Sequence, residues 1–205
     1  MGEFSYLTVQ NTASGLYKEK GSKFISYVYP IESEVDVKSN LEVLRKKHYD
    51  ARHHCYAWVL GADNKRHSAS DDGEPNHSAR DPILGQIRSK NLTNVLVVVV
   101  RYFGGTKLGI GGLIVAYRLA AQDALEKCAI IEKDVTQTLI LTYDYAYTPE
   151  VMKLVKDFDL VILSQEFDAH CLLKADVKLS FKKKIIERID LLNATGSSVR
   201  IDGLK

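Results

Sequence analysis

Cysteine is scarce in this sequence, and the scarcity bounds its chemistry. Cys55, Cys128 and Cys171 are an odd number, widely spaced and without a CxxC pair. No secretory signal stands ahead of them, so a disulfide scaffold is excluded and a reducing, cytoplasmic compartment is expected. Long apolar runs are also missing. The longest, Val95 to Val100, falls far short of the ~20 residues of a membrane-spanning helix, so no membrane association is expected. Excess charge is absent as well: 28 Lys and Arg against 26 Asp and Glu leave +2, with a pI near 8.3. Bulk attraction cannot drive nucleic-acid binding at that balance, and any such site must come from local clustering. Internal repeats and low-complexity segments are lacking too.

What remains is the composition of an ordinary folded protein, 45% hydrophobic and 26% charged over 205 residues. The length allows one large domain or two small ones, and the pattern favours two. Lys18 to Tyr29 reads as a strand entered through a basic turn. Ser33 to His48 has helical spacing, with Arg45, Lys46 and Lys47 in the last turn, where cations suit the helix dipole. His54 to Gly61 reads as a strand, and Ala62 to Pro82 as a long polar loop without periodicity, hence a candidate site. Ile83 to Lys90 is a short helix, and Asn94 to Tyr102 a strand buried on both faces. A glycine-rich loop follows, and then a helix over Leu113 to Lys127.

Beyond Asp134 the order is strand (Thr136 to Tyr143), helix (Pro149 to Phe158), strand (Leu160 to Phe167), strand (His170 to Val177), helix (Phe181 to Leu192) and strand (Ser197 to Ile201). That is the ferredoxin-like βαββαβ unit. The expected fold is therefore α+β, with an N-terminal α/β domain over 1–133 and a ferredoxin-like domain over 134–205.

Four stretches carry candidate chemistry. In Ser70-Asp71-Asp72-Gly73-Glu74-Pro75 three carboxylates crowd a glycine. Like charges so close need water, a cation or basic groups around them. A solvated or arginine-paired turn is expected over a Mg²⁺ or Ca²⁺ site, because the alternating EF-hand spacing is missing. The second stretch, Arg101 to Leu113, contains Gly104, Gly105, Gly109, Gly111 and Gly112. It has no GK[ST] and no complete GxGxxG, so neither nucleotide fingerprint applies. Two readings stay open: a backbone cradle for phosphate helped by Arg101 and Lys107, or glycines that serve tight turns.

The third stretch is His53-His54-Cys55. On a strand His53 and Cys55 face one side and His54 the other, so at most two ligands converge and no zinc site is expected. No orienting group makes Cys55 a nucleophile. The fourth, Lys182, Lys183, Lys184 and Arg188, is either a solvated helix face or a contact for a phosphate backbone.

His53-His54-Cys55-Tyr56-Ala57, the Ser70-to-Pro75 turn and Arg101-Tyr102-Phe103-Gly104-Gly105-Thr106-Lys107-Leu108-Gly109, followed by Gly111-Gly112-Leu113 and Ala116-Tyr117, closely resemble the IMPACT/YigZ family. Gly21-Ser22-Lys23-Phe24-Ile25 resembles a further element of it. The resemblance implies an N-terminal α/β sandwich like the second domain of ribosomal small-subunit protein five. It also implies a C-terminal domain like a ferredoxin-like domain of elongation factor G. Eukaryotic members restrain the kinase that senses amino-acid starvation by competing for its co-activator, and the two-domain form resembles the bacterial members.

A departure from the pattern is Asn76-His77-Ser78-Ala79-Arg80-Asp81, where the family has a small, glycine-containing run. Val115 stands where an arginine is often found. His77 and Arg80 are expected to narrow or recharge any pocket at the turn.

The resemblance implies a translation-linked regulatory or binding protein whose partner is RNA, the ribosome or a regulatory protein. His53, His54, Arg101, Lys107 and Arg118, with Lys183 on its basic helix, would contact phosphates or an acidic surface, while Asp71, Asp72 and Glu74 shape the opposite rim. No cofactor and no catalytic residue is expected. The alternative is a metal-assisted, dipeptidase-like hydrolase using Asp71, Asp72, Glu74 and His53.

Overall fold

The computed structural model describes residues 4–204. They form two compact units, Tyr6–Lys133 and residues 134–204 with residues 4–5, each built on its own core. The first unit runs β1 (Ser5–Val9), β2 (Ala13–Glu19), β3 (Ser22–Pro30), α1 (Glu34–Lys47), β4 (His53–Leu60) and β5 (Arg66–Ser70). It continues through α2 (Arg80–Ser89), β6 (Val95–Tyr102), α3 (Gly109–Glu126) and β7 (Ile130–Asp134). Five strands form one antiparallel sheet in the order β2-β3-β6-β4-β5, and β1 pairs with β7 separately.

The run of valines in β6 explains the layering. Val95, Val97 and Val99 point to a core shared with Ile83 and Ile87 of α2 and Ala116, Tyr117 and Ala120 of α3. Leu96, Val98 and Val100 point the other way, to Val37 and Leu44 of α1. A strand apolar at six successive positions, Val95 to Val100, suits a sheet with helices on both sides. Helix α1 starts in a capping box, with Ser33 and Asp36 satisfying each other's backbone N–H groups, and ends in Arg45, Lys46 and Lys47.

Several boundaries differ from the expectation. The polar segment 62–82 contains β5, paired with β4 from Tyr56↔Ser70 to Leu60↔Arg66. Its sequence, RHSAS, is that of an edge strand without an apolar face, so no period marks it. The single strand expected over Lys18 to Tyr29 is the tail of β2 turning into β3; β1, β2 and β7 carry no usable alternation. Helices α2 and α3 begin upstream of Ile83 and Leu113, so Gly109–Gly112 lie in the first turn of α3 and not in a loop.

The second unit comprises β8 (Thr136–Tyr143), α4 (Thr148–Asp157), β9 (Val161–Phe167), β10 (Cys171–Lys178), α5 (Lys182–Ala194) and β11 (Val199–Asp202). Its antiparallel strand order, β11-β8-β10-β9, is that of the ferredoxin-like unit. Odd residues of β10 (Cys171, Leu173, Ala175, Val177) meet Val151 and Leu154 of α4 and Ile185 and Ile189 of α5. The three cysteines are free, with Cys55 and Cys171 buried. Among the described residues no helix is long and apolar enough to cross a membrane.

Candidate functional site

The acidic turn after β5 is held by its own backbone and by arginines. Asp72 and Gly73 take left-handed backbone (φ 40° and 88°), and a Cβ on Gly73 would also come 3.4 Å from the His53 ring. Each carboxylate meets a different arginine. Asp72 Oδ1 lies 3.0 Å from Arg45 Nη2, Asp71 Oδ2 3.4 Å from Arg80 Nε, and Glu74 Oε1 2.6 Å from Arg101 Nη1.

Asp71 is an internal fastener. Its carboxylate accepts the backbone N–H groups of His77 (2.9 Å), Ala79 (3.0 Å) and Arg80 (2.8 Å), the last two at the start of α2. Burial pushes its carboxyl up, but those N–H groups and Arg80 outweigh it and hold the group below the usual carboxylate range. Asp72 Oδ2 accepts the backbone N–H of His54 at 2.7 Å, and the Asp72 carbonyl accepts from His53 Nδ1 at 2.9 Å. A carbonyl only accepts, so Nδ1 carries the His53 proton and Nε2 is the basic nitrogen.

Beneath the turn runs a buried polar chain. Arg101 and Glu74 are 7% and 8% exposed, and the Tyr117 hydroxyl donates to Glu74 Oε1 at 2.8 Å. Cys55 Sγ has two acceptors in reach, the Asp71 carbonyl at 2.9 Å and the Tyr117 hydroxyl at 3.3 Å. Burial pushes both the Cys55 thiol and the Tyr117 phenol up, so both are protonated at neutral pH and Cys55 is no thiolate nucleophile. The Arg101 guanidinium lies between two rings, 5.5 Å from the Phe24 centroid and 5.7 Å from that of Phe103. Gly104 fixes the far end: a Cβ there would collide with the Gly21–Ser22 backbone, and the Gly104 N–H donates to Ser22 Oγ at 3.1 Å.

Above this chain opens a cleft of about 400 Å³ lined by Arg52, His53, Glu74, Arg101, Phe103 and Lys107, with apolar walls from Pro75, Leu108, Ile110 and Leu113. Three cations face one carboxylate there, and that carboxylate is already paired. The cleft lies over the first turn of α3, which has no acidic residue. Stretches remote in sequence therefore converge: His53 from β4, Glu74 from the turn, and Phe103 and Lys107 from the glycine-rich segment.

Other expected residues take other places. His54 is 5% exposed on the α1 side of the sheet; burial and then Arg45 push its pKa down, so it is a neutral internal side chain. Asp71 is equally internal and forms no rim. Arg118 is exposed on α3 but does not line the cleft, and Lys183 is exposed in the second unit, 3.9 Å from Glu187. His77 and Arg80 do not narrow the cleft: Arg80 Nη2 lies 2.9 Å from His77 Nε2, and His77 Nδ1 is 2.7 Å from Asp81 Oδ2. Sequence reading passed over Arg52, because it stands in no motif; its one signal was adjacency to His53.

The hydrolase alternative needs Asp71, Asp72, Glu74 and His53 around a single cation. Their carboxylates turn instead to three arginines. Among the described residues no group of three His, Cys, Asp or Glu side chains could hold a metal ion.

Comparison with known proteins locates these motifs in a family. The model of the Impact N-terminal domain matches residues 20–125, which include every residue of the cleft. The IMPACT family member YigZ of Escherichia coli is 35% identical over 157 residues, 76% of this chain and 77% of that protein. An IMPACT family member of Haemophilus influenzae is 38% identical over 156 residues, 74% of each chain. A crystal structure described as that of an hypothetical protein superposes with a TM-score of 0.78 at 28% identity over 97% of both chains, so the likeness extends through both units. Family model, relatives and fold agree, and the chain belongs to the IMPACT family.

Proposed function

We propose that the first unit is an RNA-binding module, that the cleft over α3 holds RNA phosphate, and that the chain acts in translation-linked regulation without turnover. The observation that carries this reading is the convergence of Arg52, His53 and Lys107 beside the exposed ring of Phe103. Exposed cations next to an exposed aromatic ring suit a ligand with both phosphates and bases. The N–H groups in the first turn of α3 add to the attraction for an anion. The cluster answers the low net charge of +2, since the positive field is local to the cleft.

The translation link rests on the family resemblance, to which an RNA ligand is well matched. Lys107 is the residue to test, because it is exposed, lines the cleft and lies in no helix or strand whose packing the change would disturb. Lys107→Ala is expected to weaken co-sedimentation with ribosomes and structured RNA, and to lower the slope of log affinity against log salt by about one. Unchanged affinity and slope in a folded variant would overturn the reading.

A further inference from the structure

The cleft is not the end of the basic surface. Residues 45–53 wrap from the end of α1 to the start of β4 and are pinned to the end of β6. The Tyr102 hydroxyl donates to Asp50 Oδ1 at 2.9 Å and lies 2.9 Å from His48 Nδ1, while His48 Nε2 lies 2.8 Å from the Tyr27 hydroxyl. Burial first, and then Lys47, push the His48 pKa down, so a neutral ring joins the two tyrosines. His53 pairs with Arg101 in the β4–β6 register, and its neighbour Arg52 lines the cleft together with Phe103.

This pinned segment joins exposed groups on two sides of the sheet. Arg52, Phe103 and Lys107 lie on the α3 side; Lys46, Lys47 and Tyr49 lie at the end of α1 on the other. The last-turn cations have a local reason to be there, the helix dipole. Tyr49 has none: it is 86% exposed, the most open large apolar side chain in the first unit, on a backbone its neighbours hold in place. The acidic groups between the two sides are both engaged, Asp50 with Tyr102 and Asp72 with Arg45.

A small anion reaches only one of these two groups of cations, whereas an extended polyanion can pass from one to the other across residues 50–52. Exposed rings at two points along that line add stacking platforms, which unpaired bases can use and a closed duplex cannot. We infer that the ligand is single-stranded RNA, threaded from the cleft over the rim at residues 50–52 to the end of α1, with bases stacked on Phe103 and Tyr49. This route rests on the proposed RNA function and extends it to a strand type and a second contact surface.

The test is fluorescence anisotropy on the full chain, with a labelled single-stranded oligoribonucleotide of mixed sequence and the same strand annealed to its complement. Tyr49→Ala is expected to weaken the single strand by about fivefold or more, Tyr49→Phe to restore it, and Lys46→Ala to lower the salt slope. The duplex is expected to bind more weakly than the single strand and to ignore Tyr49→Ala. Loss in Lys107→Ala without loss in Tyr49→Ala would overturn the route and leave the cleft reading standing. Equal affinity for the duplex would overturn the single-strand assignment. No binding of either probe would overturn the route, while ribosome association sensitive to Lys107→Ala would still keep the cleft.

Discussion

The two units solve the same packing problem with different interiors. In the second, β8, β10 and β11 lay an aliphatic face on α4 and α5, and the core is Leu, Val, Ile and Ala with Tyr143 and Cys171. In the first, the sheet is covered on both faces and would have every reason to be apolar throughout. Yet all the buried polar and charged residues among the described ones are there, including Arg101, Glu74, Asp71 and His54. Taking a carboxylate and a guanidinium out of water costs several kcal/mol each before pairing, and pairing returns that cost only when the geometry is good. A fold that needs only stability does not require this chain, since the neighbouring unit does without one. Its Arg101–Glu74–Tyr117 part lies beneath the cleft, where it joins the acidic turn, β6 and α3.

Mutations that strike one interior and spare the other sharpen the contrast. Glu74→Ala leaves Arg101 buried without its carboxylate and is expected to lower stability by about 3–5 kcal/mol in denaturant unfolding. Replacing Glu74 and Arg101 together by methionine should restore most of that loss but not RNA affinity, which separates holding the fold from building the cleft. If the double variant binds RNA as the wild type does, the buried pair has no part in the site. In the other core, Leu141→Ala is expected to cost about 2–5 kcal/mol, with ribosome co-sedimentation at low temperature unchanged.

Smaller effects test the joints of the first unit. Gly104→Ala forces the chain away from Gly21 and is expected to cost about 1–3 kcal/mol, with weakened binding because Phe103 and Lys107 move with it. Asp71 gives a pH signature. Its folded pKa is depressed, so its contribution is fully present above the unfolded value of about 3.9 and is lost as pH falls through the lower folded one. Acid unfolding of Asp71→Asn should therefore show a flatter fall in stability below about pH 4 than the wild type. Parallel curves would show that the three N–H contacts do not discriminate between the two side chains.

The sequence by itself determined the broad plan, because periodicity and punctuation are local. The apolar run of β6 from Val95 to Val100 announced a strand covered on both faces, the order of elements after Asp134 announced the βαββαβ unit, and the spacing of Val35, Leu41, Val43 and Leu44 announced α1. The motifs at 53–57, 70–75 and 101–113 also marked which part of the chain to examine. Strands without an apolar face stayed silent: β5 is edge backbone whose hydrogen bonds, not its side chains, make it a strand.

Only the tertiary structure decided which motif residues face the cleft. Asp71, Asp72 and Glu74 look alike in sequence, yet one fastens α2, one ties β4 to Arg45 and one neutralises Arg101 inside the cleft wall. Arg52 and Tyr49, which belong to no motif, became candidates once the Tyr102 and His48 contacts showed where their segment is pinned. The physical reason is that burial and pairing are properties of the neighbours a side chain meets across the sheet, and those neighbours lie far away along the chain.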